Sequence, residues 1–516
     1  MKKLFINLRM VLLAVAIIAS TNACTDLTEK LYSEIPADQF YQTQDQIDGA
    51  VNAVYSSLAF NGNHGSWWTC QEVSSDEMMI PQRGGDWYDG GQFINAAQHV
   101  TNANDGIING SWSTLYKPIA TCNRLIAQLP KALTADKSGP LVTEIRGLRA
   151  YYYMLLLDQF GNVPLFVNYP VGNDEYATKD RASVYAFVES EFAAVIAANT
   201  LTKDKKYGKL NYWSVKALQA RLYENAEVYT GTAKWAEAKA AANEIITAGP
   251  YKLDETATWY QNNFWKDNDK SIENIFVVPY DEVSLQGFNH HQMGLHYNSQ
   301  ETFNLQNQPW NGYCTLQEFY NSYESADVRK ANFFAAGQQF KADGKTQVED
   351  PAADDPDGKP LNFTPEINML FPKTFRQAGV RMLKFRPYNN ATGNLSNDFP
   401  ITRLAEMYLI RAEASWKISP TDVTALADVN KIRARAGVAP FIALTNANLV
   451  AEFGREMFQE GHRRTDEIRF GTYSRARQIA QNLNKPADDD ATKRKVYPIP
   501  QVQLDANPKL RQNTGY

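Results

Sequence analysis

The sequence predicts a mostly α-helical fold, a scaffold of helical hairpins with long loops and few short strands. Three observations predict it. Apolar residues recur at helical spacing through much of 112–250 and again through 403–461. The helices come in Ala-rich, aromatic-rich pairs of similar size, without a strict sequence period. Between them, stretches 61–95 and 251–400 are rich in Gly, Pro, Asp and Trp, and no apolar period persists there.

Along the chain, 45–58 carries Ile47, Val51, Val54 and Leu58 on one stripe. The following 61–95 reads as loop. Helices at 112–129 and 141–160 form a first pair. In 183–196, Val184, Phe187, Val188, Phe192 and Val195 share a face. Helices 212–229 and 234–248 make a hairpin joined at Gly231 and stopped by Gly249-Pro250. Within the second, Trp235, Ala238 and Ala241 resemble the small-residue packing face of a tetratricopeptide unit. Residues 275–280 form a short buried strand, and 341–362, dense in Asp, Gly and Pro, forms a mobile acidic loop. Helices 403–417 and 423–436 make another hairpin. Gly437 caps it, and Arg433 and Arg435 suit the negative helix end. A last helix spans 447–461. No linker divides the chain, so 24–516 reads as one domain.

Of 516 residues, 44% are hydrophobic and 21% charged, a globular rather than disordered composition. The net charge of −5, without a basic block, argues against nucleic acid as a partner. Much of the aromatic content, 27 Tyr and 10 Trp, serves helix packing, and it also leaves rings free to stack on ligands. At the start, Lys2, Lys3 and Arg9 flank an apolar run over 10–19, too short to span a bilayer. It ends in Ser20-Thr21-Asn22-Ala23-Cys24, which resembles a bacterial lipobox although Asn22 and its neighbours depart from the usual residues. Residues 1–23 are therefore expected to be a lipoprotein signal peptide and Cys24 the lipid anchor. An ordinary secretory signal is the other reading. Cys70, Cys122 and Cys314 remain, none in a C-x-x-C pair. A structural zinc is not expected, and one disulfide is left open.

Several long segments then resemble one family in the right order. They are Arg146 through Leu165, Lys234 through Tyr251, Glu273 through Tyr280, Arg403 through Ala414, Glu456 through Gly471 with its Glu-Gly-His-Arg-Arg, and Tyr497 to Tyr516. Together they resemble the SusD/RagB outer-membrane lipoproteins of Bacteroidetes. The resemblance implies a tetratricopeptide-like, SusD-like fold on the outer membrane, lipid-anchored and facing outward. It also implies a SusC-like TonB-dependent transporter as partner and a shallow loop-built site for an oligosaccharide. Some members take peptides instead, so a peptide ligand remains an alternative. In 403–414, Leu404, Met407, Tyr408 and Ala412 form a buried stripe; Arg403, Glu406 and Arg411 are expected exposed or in i, i+3/i+4 ion pairs. His462 is expected to be structural.

A sugar offers apolar C–H faces and hydroxyl edges, so its site needs rings and planar polar groups. Two segments supply both and resemble the family's ligand loops. The first runs from Asp76 through Arg83 to Trp87 and Tyr88, with glycine pairs on either side holding Trp87 outward. The second holds Trp310, Asn311 and Cys314. Arg381 adds a bidentate donor. Trp67, Trp68, His296 and Tyr297 are secondary candidates by their place in the sequence. Asp76 with Glu77, or Asp86 with Asp89, would be the carboxylates of a glycosidase. Loop carboxylates of this kind more often solvate the loop or bind a cation, a structural calcium being left open, and no nucleophile, zinc-protease or nucleotide-binding motif accompanies them. The expectation is a binding protein, not an enzyme, with no cofactor and no metal. A surface adhesin is the rival outside the binding class.

Overall fold

The computed structural model of the chain describes residues 41–516 apart from 357, 491 and 492. The leader, Cys24 and the segment up to residue 40 lie outside the described residues. Helix Gln44–Ser56 starts at a capping box between Thr43 and Gln46 and buries Ile47, Val51 and Val54. Helices Gly106–Ala132 and Ala135–Gln159 pack along each other, and Arg181–Ala197 adds to the second. Tyr212–Glu224 breaks at Asn225 before the short helix Ala226–Thr230. Trp235–Ala248 then lies between Tyr212–Glu224 and Leu404–Ile418, and Val423–Arg435 closes the row. Small residues make that row close: Ala238, Ala241 and Ala242 share a core with Ala405, Ala412 and Ala414.

Strand Asn274–Val278 pairs antiparallel with Phe399–Arg403, Val278 facing Phe399 and Asn274 facing Arg403. Both strands are buried throughout, and each strand pair of the described residues has only two strands. Cys70, Cys122 and Cys314 are free and buried.

The structure departs from the sequence reading in four places. Stretch 61–95 is not all loop: it contains helix Trp67–Val73, buried at every residue. A helix enclosed on all faces has no polar side and therefore no amphipathic period. Residues Arg463–Phe470 form a further helix, masked because its charges point inward. The acidic stretch 341–362 is pinned rather than loose, since Asp350 is buried against His296 and Arg376. Finally, the charges of 403–414 are not in local pairs. Arg403 is fully buried and reaches Glu273 at 3.0 Å, Glu456 at 2.7 Å and Glu460 at 2.7 Å. Glu406 pairs with Arg221, and Arg411 with Asp428.

Arg403 belongs to a larger buried network. Arg329 contacts Asp327, Glu452 and Glu456 at 2.8–3.0 Å, Arg435 joins Glu273 and Glu456, and Lys384 joins Glu460. Burial raises the carboxyl pKa of Glu456, but Arg435, Arg403 and Arg329 outweigh it and hold the group well below the usual carboxylate range. These contacts tie the central strand pair to the late helices.

Candidate functional site

Residues from 86–93 and 308–310 meet His64 and Tyr297 to form an open cleft of about 440 Å³. Arg83 and Asp86 exchange backbone hydrogen bonds of 3.1 Å, making a tight hairpin whose tip, Gly84, has φ +62°. The chain then passes through two left-handed residues that are not glycine, Trp87 at φ +65° and Asp89 at +41°. A tryptophan rarely adopts this conformation, and here its ring holds it in place. The ring lies against the Cα of Gly312, where any Cβ would come within 2.6 Å of it, and Nε1 donates to the Trp310 carbonyl at 2.6 Å. Its edge contacts are His64 at 5.4 Å and Phe93 at 6.0 Å between ring centres.

Trp87 is thus seated on the core, not held clear of it as its flanking glycines suggest. Trp310 is the ring that faces solvent, 52% exposed. Tyr297 is half-buried and joins Trp87, Phe93 and Trp310 as the fourth aromatic ring of the lining, with His64, Asp86, Asp89, Gln92 and Gln308 as polar edges. Tyr88 is exposed beside it and does not line it. Burial pushes the His64 imidazole down to about 4, so it is neutral near pH 7.

The other candidates lie underneath. Arg83 is buried and donates to the carbonyls of Asn311 and Ala378, each at 2.9 Å, and to that of Phe375. Arg381 is fully buried and donates to Asn311 Oδ1 at 2.8 Å and to the carbonyls of Arg376 and Ala378 at 2.9 Å. A buried guanidinium must satisfy its donors within the protein, and these two do so on the loops that carry the rings. They therefore support the cleft from below, which corrects the expectation of a donor reaching the ligand. Asn311, at φ +57°, is the hub: Nδ2 donates to the Arg376 carbonyl at 2.9 Å. Cys314 is buried in a strand pair with Met79. Asp76 is elsewhere. It is buried in a 2.6 Å pair with Arg463, whose charge outweighs burial and holds the carboxyl well below its usual range. Trp67 and Trp68 are core, Trp68 stacking on His290 at 3.6 Å. A separate cavity beside His462, about 30 Å³, has room for about one water and not for a ligand.

One clamp was not legible in the sequence. The Arg376 guanidinium lies 4.5 Å over the Tyr297 ring and grips Asp350 through Nε at 2.5 Å and Nη2 at 3.2 Å. The Tyr297 hydroxyl donates to Asp86. His296 Nδ1 accepts from Asn298 N at 3.1 Å, and its Nε2 lies 3.1 Å from the Asp350 carboxylate. Burial raises the Asp350 carboxyl pKa, but His296 and Arg376 outweigh it and hold it well below the usual range. The stability this gives is fully present above the unfolded value of about 3.9 and is lost as pH falls through the lower folded value. Asp350→Asn should therefore melt below wild type at neutral pH, and the gap should close as the pH is lowered past that value. A gap that does not start to narrow as the pH falls below about 3.9 would remove the carboxylate from this role.

Among the described residues no group of three or more His, Cys, Asp or Glu side chains is placed to hold a metal ion, and no helix is long and apolar enough to cross a membrane. Comparison with known proteins agrees with the architecture. A model of the SusD family matches residues 272–516, and a model described as "Starch-binding associating with outer membrane" matches 27–243. Starch-binding protein SusD of Bacteroides thetaiotaomicron is 27% identical over 414 residues, 72% of each chain. Among solved structures, surface glycan-binding protein A of the same organism superposes with a TM-score of 0.75 at 21% identity, over 92% of this chain and 100% of that one. Its complex with laminarihexaose gives 0.73 at 20% identity, over 91% and 99%. A laminarin-binding SusD-like protein gives 0.70 at 21% identity, over 92% and 100%. Fold and sequence thus define a SusD-like helical scaffold with its loops gathered at one cleft. The chain belongs to the SusD/RagB family.

Proposed function

We propose that this protein is a lipid-anchored surface protein that captures an oligosaccharide in the Trp87–Tyr297–Trp310 cleft and delivers it to a SusC-like TonB-dependent outer-membrane transporter. The observation that carries the reading is the cleft itself. Four aromatic rings border it, Trp310 among them largely exposed, with carboxylate and amide groups between them. Sugar faces stack on rings and sugar hydroxyls bond to planar polar groups, so the arrangement matches the ligand's chemistry. Relatives named for starch and laminarin binding support the same class of ligand. The role is capture without turnover.

Calorimetry of the full chain with neutral oligosaccharides, followed by chromatography of the recovered sugar, tests capture. Saturable binding with intact sugar is expected; cleavage, or binding of peptides alone, would overturn the reading. The anchor and partner have their own test. Wild type should carry acyl groups on Cys24 and bring down a TonB-dependent barrel from detergent-solubilised outer membrane, and Cys24→Ala should lose stable membrane attachment. Unchanged retention of that variant would refute the anchor, and recovery of the protein alone would refute the partner.

A further inference from the structure

We propose that the cleft takes glycans without negative charge and rejects those bearing uronate or sulfate groups; this rests on the reading of the cleft as a glycan site. No lysine or arginine lines it, whereas Asp86 and Asp89 do, and both are exposed. Arginines are close by, yet none offers a free donor set to the opening. Arg83 and Arg381 spend their N–H groups on the carbonyls of residues 311 and 375–379 and on the Asn311 side chain. Arg376 stands at the Tyr297 ring with its charge matched by Asp350. His64, the remaining basic group of the lining, is neutral near pH 7.

An anionic sugar entering here would lose water, meet two carboxylates and find no cation to pair with. Burying a charge without a partner is unfavourable, and placing it beside like charge adds to the cost. The cleft therefore discriminates by repulsion as well as by fit. A neutral sugar meets no such barrier, because its hydroxyls donate to the same carboxylates.

The test uses the full chain purified in detergent. Its probes are laminarihexaose, maltohexaose, cellohexaose and xylohexaose, a chemically sulfated form of each, and oligogalacturonate. At least one uncharged probe should bind, and its sulfated form should bind roughly tenfold or more weakly, since like-charge contacts are costly at interfaces. The double variant Asp86→Asn, Asp89→Asn should narrow that gap. Asparagine tolerates the left-handed backbone at 89 and still accepts from Tyr297, so the fold should be kept. An anionic probe binding as tightly as its neutral form, with the binding lost in Trp310→Ala, would overturn the charge rule and leave the glycan reading standing. A gap unchanged in the double variant would also overturn it. Peptide binding with no oligosaccharide bound would overturn the glycan reading and this inference together.

Discussion

Replacing Arg403 by methionine is expected to lower the unfolding free energy by about 3–5 kcal/mol. The guanidinium is fully enclosed and pairs with Glu273, Glu456 and Glu460. Methionine fills part of the volume but takes one buried cation away from three carboxylates, which are left with Arg435, Arg329 and Lys384 alone. The under-compensated buried negative charge accounts for most of the cost, more than the lost attraction itself. Typical total stabilities are only about 5–15 kcal/mol, so the variant should be close to unfolding. A guanidinium titration with matched slopes is the measurement. A loss below about 1 kcal/mol would show that the network relaxes around the gap.

Trp310→Ala is expected to cost about 1–3 kcal/mol of binding, roughly tenfold to over a hundredfold in affinity, for whichever oligosaccharide the wild type binds. Its melting temperature should hardly move, because a ring half open to solvent makes few core contacts. Trp87→Ala should differ: its ring sits on Gly312 and packs against the core, so binding and stability should fall together. Calorimetry and thermal melting on both variants separate the two roles. Unchanged affinity in Trp310→Ala would move the site away from this cleft.

The helical pairs were readable because their faces are one-sided; 183–196, with its single apolar stripe, coincides closely with Arg181–Ala197. Helix Trp67–Val73 was not readable, because it is buried all round and its Glu72 looks like a surface residue in sequence. The cleft was half readable. Trp87 and Trp310 stand out as rings among turn residues, and both line it. Arg83, Arg381 and Asp76 are chemically suited to a ligand and sit buried instead, since a charge's partner is a three-dimensional fact. His64 and the Arg376–Tyr297 clamp join segments far apart in sequence and have no local signature.

The enclosure of helix Trp67–Val73 also bears on how the chain matures. Trp68 donates to the Gln459 carbonyl, Glu72 accepts from Gly461 N, Asp76 pairs with Arg463, and the Cys70 carbonyl accepts from Tyr497. Each contact spans between 387 and 427 residues of sequence. A segment made early waits for one made nearly last, and closing so long a loop is slow. Until the late segment is in place, Trp67 and Trp68 lack the cover that Gly461 and Gln459 give them. A fragment ending before residue 459 is therefore expected to leave helix Trp67–Val73 without its covering contacts, which hydrogen exchange on such a fragment would check.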